Sequence, residues 1–566
     1  MTHSHSSRRA DGIPSLGLDL GLGLGAAVLL LLAVALSYLP GQSTVPPIDR
    51  DEPRYTQATK QMMETGDYVD IRFQEAPRHK KPIGIHWLQA GAAQVSGLGP
   101  DAPLWIYRLP SLFGALAALL LALWVARAFL PMPLALVAAA LFSSMIIVGV
   151  EARLAKTDAV LLATILAAQG ALARLWLSDA RPLGMALFFW VALALGVLVK
   201  GPIAPMVCGL TIITLCFIDR RRLLSKLRPF AGLPLLAAIC LPWYIAIYLS
   251  TDGAFFANAL GRDFFGKATT GQEGHGAPPL THFGFFLAVA WPLAPFAIAA
   301  IWQGVKARGP ALTFAFAWVV PAWIVFELTP TKLPHYTLPM LAGVAIAAVT
   351  VLAEKGPPRW IRAISGGLIL VGPLAVLAAA PILVMQLAGS GETTADLIDT
   401  NAMWTAVAIL ALALVAAGSA ASVVWRGGHF LSARVVAPTV AAAVIAQAGV
   451  WGVALPALQP VWISTRLVET VRSVSPCEAP RLASVGGYNE PSMIFLSGTD
   501  TALVDPDEAV ALARGGCVVI AARGDRAADV EEAARSADLT LRPAGVVEGF
   551  NISKGDPVRL TLFVSP

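Results

Sequence analysis

Asp49-Arg50-Asp51-Glu52-Pro53-Arg54-Tyr55 places two adjacent carboxylates, Asp51 and Glu52, at the start of a helical pattern just beyond a long apolar run. A carboxylate so placed can act as a general base or bind a cation. Acids at a helix start also cap orphan N–H groups and complement the helix dipole, so position alone leaves both roles open. Asp158, after Lys156 and Thr157, stands where another apolar run begins. A charge carried to the bilayer centre costs at least about 2.5 kcal/mol, so Asp158 belongs at the rim of its span, where capping is again the alternative role. The cations come from Lys80-Lys81-Pro82, Lys200-Gly201-Pro202, Arg262 and Lys332-Leu333-Pro334-His335-Tyr336. Basic side chains gathered at one rim could neutralise a phosphate-bearing lipid headgroup, or each could snorkel separately to bulk lipid phosphates. His79, His86, His275 and His335 could bind a divalent cation, but their separation follows no ligand spacing, and they receive no role.

The elements that must position these residues are membrane helices. Hydrophobic residues make up 56% of the 566-residue chain and charged ones only 14%, against roughly 25% charged in a soluble domain. Apolar runs at 17–40, 104–129, 133–150, 158–177, 183–199, 202–218, 230–249, 283–303, 310–327, 337–353, 363–386, 403–424 and 434–456 predict about thirteen transmembrane helices. The first run is too long for a signal-peptide core and is read as a span. The net charge of +5 falls mostly in short loops, which fits topology better than nucleic acid as a partner.

The strongest basic cluster, Arg220-Arg221-Arg222 with Lys226 and Arg228, orients its side to the cytoplasm. Counting spans from it sends loop 41–103, segment 151–157, Lys200, loop 250–282, segment 327–336 and the tail to the outer side. Every candidate site residue then lies outside. Within loop 41–103, Tyr55, Ala58, Thr59, Met62 and Met63 follow helical spacing after Pro53, and a second amphipathic helix is expected from about Pro82, with Ile83, Trp87 and Ala90 on one side.

The chain divides into a transmembrane part, 1–456, and a tail, 457–566, that reads as a small α/β domain. Strands are expected at Leu482–Val485, Met493–Leu496, Val518–Ala521 and Leu560–Val564, and helices near 507–514 and 526–536. Cys477 and Cys517 could form one disulfide in an oxidising compartment, whereas Cys208, Cys216 and Cys240 sit in apolar runs as packing residues.

On DRDEPRYTQ, KKPIGIHWL, KTDAVLL, VKGPIAP and KLPHYTLP, the sequence resembles the polyprenyl-phosphate-dependent glycosyltransferases of the GT-C fold, the group containing bacterial glycosyltransferase family 39, aminoarabinose lipid A transferases and protein O-mannosyltransferases. The resemblance covers nearly the whole chain. It implies a membrane all-α fold with amphipathic outer-loop helices and a small C-terminal α/β domain. It further implies inverting transfer of a sugar from an undecaprenyl-phosphate-like donor to lipid A or another glycolipid, glycan or protein acceptor on the periplasmic side of the bacterial inner membrane. Asp51 would be the catalytic base or the carboxylate that orients the acceptor, supported by Glu52 and Asp158, and Lys81, Arg262, Lys332, Tyr336 and Lys200 would hold the donor phosphate. No cofactor is required with certainty, and a divalent cation is possible. The leaving phosphate needs no nucleotide hydrolysis, and the sequence contains no P-loop motif.

Two other classes share some of these features. A secondary transporter would place its charges near the midplane and repeat its halves. A non-catalytic protein that binds or flips lipid-linked sugars would need the lysines but not Asp51.

Overall fold

The structure, a computed structural model, describes residues 24–48, 50–178, 180, 182–219, 223–259, 261, 266, 276–304, 307–354, 356–388, 396–475 and 477–565. Nine helices among them are long and apolar enough to cross a membrane, and four shorter apolar helices, including Leu24–Ser37 and Met132–Ser143, fall on the remaining predicted spans. Two predicted spans are each broken. Met132–Ser143 is followed by a separate helix, Ile146–Glu151, and Thr281–Val289 is separated from Leu293–Gly304 at Trp291-Pro292, where proline cannot continue the backbone ladder.

Small residues let these helices approach closely. A side chain on Gly114 would meet the Ala159 carbonyl carbon at 2.9 Å, so helix Leu104–Ala126 lies directly against helix Asp158–Leu177. A Cβ on Gly84 would meet the Leu198 carbonyl oxygen at 2.7 Å. That approach brings the start of helix Gly84–Val95, and with it the Lys80-Lys81-Pro82 segment, to the end of helix Leu183–Lys200.

The outer loop contains helices Asp51–Thr65 and Gly84–Val95, with a two-stranded turn, β1 (Arg72–Phe73) and β2 (Ala76–Pro77), between them. At the second helix Ile83 and Ala90 are buried whereas Trp87 and Leu88 are exposed, so Trp87 does not share the side of the other two, contrary to what the spacing predicts. The tail forms a five-stranded sheet in the order β4-β3-β5-β7-β6, from β3 (Arg481–Val485), β4 (Ala502–Leu503), β5 (Val518–Arg523), β6 (Arg542–Asn551) and β7 (Asp556–Val564). β3 is parallel to β4 and β5, whereas β7 is antiparallel to β5 and β6.

Alternation along the strands sends Leu482, Val519 and Ala521 toward helix Ile463–Val474, and Ala483, Val485, Ile520 and Ala522 toward helices Pro506–Arg514 and Ala527–Ser536. The expected strand at Met493–Leu496 is instead part of helix Pro491–Ser497. A four-residue apolar run carries no period that separates the two states, and Pro491 favours a helix start. Cys477 and Cys517 are disulfide-bonded, and Cys208 and Cys240 are buried.

Candidate active site

Glu52 fixes the entry to the outer loop. Arg108 donates to it from Nε and Nη2, both at 2.8 Å, and the backbone N–H groups of Ala155 and Ile48 donate at 2.8 and 3.0 Å. The same guanidinium donates to the carbonyls of Gly41, Gln42, Val45 and Pro46. One buried ion pair therefore joins the linker after the first helix, the start of helix Asp51–Thr65, helix Leu104–Ala126 and segment 151–157. Glu52 is 1% exposed and both its oxygens are engaged by these donors, although it also borders the cavity that Asp51 lines.

Asp51, one residue earlier, occupies the first turn of the same helix, and consecutive helical residues point about 100° apart. It is exposed and lines a cavity of about 1350 Å³. The preceding N-cap residue, Arg50, makes no side-chain cap. Arg54 follows Asp51 by three residues and lines the same cavity. Tyr55 lies beneath the Arg78 guanidinium, 4.9 Å from ring centre to Cζ, which directs a further cation there.

A chain of charges crosses the cavity floor. Asp158 accepts from Lys200 Nζ at 2.6 Å, with Lys156 Nζ at 3.9 Å and His335 Nε2 at 3.8 Å. Lys156 is also 2.9 Å from Glu151, a buried carboxyl that burial pushes up to about 7 while the lysine pulls the other way. Burial opposes the charge on Lys156, but Glu151, Asp158 and Asp51 together hold its ammonium well above the ordinary range. Asp51 thus acts electrostatically on the same group that faces Asp158.

Lys81, Lys200 and Tyr336 line this cavity together with His335. The other wall is apolar. Leu241, Tyr244, Ile245 and Tyr248 follow helical spacing along one face of helix Pro229–Ser250, joined by Phe255, Phe256, Val325 and Phe326.

Lys332 is not brought to the cavity. It is 4% exposed, and its ammonium donates to the carbonyls of Glu327 and Thr329 at 2.7 Å each, closing the end of helix Pro310–Leu328. Arg262 and His275 lie outside the described residues. The remaining histidines have separate partners: His79 pairs with Asp70 at 2.7 Å, His86 with Thr59 at 2.8 Å, and His335 approaches Asp158. Burial lowers His86 to about 3. Among the described residues no three His, Cys, Asp or Glu side chains form a metal-binding group. Of the described carboxylates in this region, Glu52 is held by Arg108 and Asp158 by Lys200.

Sequence reasoning missed Arg54, Arg78 and Lys156 as cavity residues, and left His335 without a role. Arg54 had a signal in its helical spacing from Asp51, and Lys156 and His335 stand inside two of the motifs already singled out.

Residues 24–253 match the family model described as dolichyl-phosphate-mannose-protein mannosyltransferase (PMT). The undecaprenyl phosphate-alpha-4-amino-4-deoxy-L-arabinose arabinosyl transferase of Aeromonas hydrophila is 28% identical over 347 residues, 58% of this chain and 62% of that enzyme. The chain therefore spans less than two thirds of that relative's length. The crystal structure of ArnT from Cupriavidus metallidurans bound to undecaprenyl phosphate superposes with a TM-score of 0.73 at 16% identity, covering 95% of this chain and 98% of that one. The archaeal oligosaccharyltransferase AglB of Archaeoglobus fulgidus gives 0.50 at 12% identity, over 88% and 69%. The chain thus has the multi-helix GT-C membrane fold with a small C-terminal sheet domain, the architecture that its acidic, KKP, KTD, KGP and KLPHY motifs resemble.

Proposed function

We propose that the protein is an inverting glycosyltransferase that moves a sugar from an undecaprenyl-phosphate-like donor to an envelope acceptor, lipid A or another glycolipid or glycan, on the periplasmic face of the inner membrane. One observation carries this reading: the exposed Asp51 carboxylate shares a single cavity with the cations Arg54, Arg78, Lys81 and Lys200 and with an apolar helix face. Such a cavity suits a lipid phosphate, with charge met by cations and a polyprenyl chain laid along Leu241, Tyr244, Ile245 and Tyr248. Similarity to the arabinosyl transferases supports the donor class. The Cys477–Cys517 disulfide, a bond that persists in oxidising compartments, supports a periplasmic tail, with the domain division at 456/457.

The acceptor hydroxyl attacks the anomeric carbon as Asp51 takes its proton. The bond from that carbon to the phosphate oxygen breaks, its electron pair leaves on the phosphate, and the configuration inverts. Lys81, Lys200 and Tyr336 hold the departing phosphate, and Lys200 is itself held by Asp158.

The test is to supply purified protein with undecaprenyl-phosphate-linked sugars carrying a label and with an envelope glycolipid fraction. Label should move to glycolipid with release of undecaprenyl phosphate, and the product anomer should be opposite to the donor's. Undecaprenyl phosphate binding without transfer from any such donor would instead favour a binding or flipping protein.

A further inference from the structure

The small domain reaches into the cavity at one place. Ser553, at the tip of the hairpin between β6 and β7, is the only residue of that domain among the described residues that lines it. Its carbonyl accepts from Arg50 Nη2 at 3.2 Å, and Arg50 immediately precedes Asp51.

The tip is built rigidly. Asn551 is buried; its Nδ2 donates to Glu490 at 2.8 Å, and its Oδ1 accepts from the N–H groups of Ser553 and Lys554 at 2.9 and 3.2 Å. Gly555 supplies the positive φ of 74° that turns the chain back. Lys554 Nζ donates to the Gly487 carbonyl at 3.2 Å, tying the tip to the loop after β3. Ile552, by contrast, is 61% exposed with no role in this scaffold.

The domain itself is docked by polar contacts away from the cavity. Gln57 donates to Thr499 at 2.6 Å, and Gln74 donates to the Thr499 and Thr501 carbonyls. The tip's position beside Asp51 therefore does not depend on the tip alone.

We infer that this hairpin tip bounds the transfer site on the acceptor side, with Ser553 lining the cavity and the adjacent Ile552 exposed outside its lining, and helps to select the acceptor. The inference rests on the proposed transferase reading. A base must lie against the hydroxyl it deprotonates, so a residue that lines the cavity and meets the neighbour of Asp51 lies near the acceptor. The residues assigned to the donor phosphate all come from the membrane part, whereas the tip comes from the tail and meets the residue next to the base. A rigid tip with one exposed apolar and one hydroxyl side chain suits an amphiphilic acceptor, offering a surface for its apolar part and a hydrogen-bonding group for its polar part.

The experiment compares wild type with Ser553→Trp, Ile552→Ser and Ser553→Ala, titrating the envelope glycolipid fraction as acceptor and measuring undecaprenyl phosphate binding separately. Ser553→Trp should raise the acceptor KM about tenfold or more, as expected when binding common to ground and transition states is removed. Ile552→Ser should raise it severalfold, Ser553→Ala should raise it by a smaller factor because only a hydrogen-bonding group is removed, and undecaprenyl phosphate affinity should hold in all three. Ile552→Ser alters an exposed side chain and keeps the test valid if Ser553→Trp fails to fold. Parental acceptor KM in Ile552→Ser and in folded Ser553→Trp would overturn the inference while leaving the transferase reading intact, and loss of undecaprenyl phosphate affinity would reassign the tip to the donor side. Absence of transfer by the wild type would remove both readings.

Discussion

Replacing Glu52 by glutamine should unfold the entry to the outer loop rather than act on chemistry. The carboxylate accepts from Arg108 Nε and Ala155 N on one oxygen and from Arg108 Nη2 and Ile48 N on the other. Glutamine keeps one acceptor and turns the other into an NH₂ donor facing two donors. A lost bond to a charged group is worth about 1.5–3 kcal/mol and a neutral one about 1 kcal/mol. Their sum, about 2.5–4 kcal/mol, overlaps the range of about 3–5 kcal/mol observed when a buried ion pair loses one partner. The loss should be seen as a lowered unfolding temperature in detergent, accompanied by reduced transfer. Glu52→Leu with Arg108→Met removes both charges but should recover little of the stability, because it strips the carbonyls of Gly41, Gln42, Val45 and Pro46 and the N–H groups of Ile48 and Ala155 of their partners. A Glu52→Gln protein with parental stability and no transfer would refute this assignment and return Glu52 to the reacting groups.

Lys81→Ala should weaken undecaprenyl phosphate binding about 10–100-fold, the worth of a charge-assisted hydrogen bond, read by titration of the purified protein. Lys332→Ala should leave that affinity within about twofold and lower stability by about 1–3 kcal/mol, since it strips two carbonyls of their buried donor; the reverse pattern would restore Lys332 to the donor site. Burial holds His86 at about 3 in the folded protein against 6.5 in the unfolded chain, so below pH 6.5 the unfolded state binds the proton first. Stability should be complete above pH 6.5 and fall by up to about 1.4 kcal/mol per pH unit below it; thermal unfolding of wild type and His86→Asn across pH 7.5 to 4.5 checks this, because the variant should lose that part of the slope.

The membrane helices were legible because each long span must be continuously apolar, a signal that needs no tertiary information. Their breaks were less so: the gap between Ser143 and Ile146 has no proline or charge to announce it. In the tail, β6 escaped notice because Arg542–Asn551 lacks a clean alternation, and it is held by its pairing with β7. At the site, position along the chain identified the acidic pair but could not divide its roles. Asp51 and Glu52 differ by one helical step, and what separates them is Arg108, far away in sequence and brought in by helix packing. Lys332 misled for the same reason. Its motif directly follows a span, but its long side chain turns back onto the helix end that precedes it.

The central claim is that Asp51 removes the acceptor proton, and it is tested most directly by single-turnover transfer of labelled sugar from the carrier by purified Asp51→Asn protein. Asparagine keeps the size and suits a helix start about as well as aspartate, so unfolding temperature and undecaprenyl phosphate affinity should stay near parental. Transfer should fall by about 10²–10⁴-fold, the usual contribution of a general base. Near-parental transfer by a folded, donor-binding Asp51→Asn protein would contradict the account and pass the role to another carboxylate, with Asp158 the next to test.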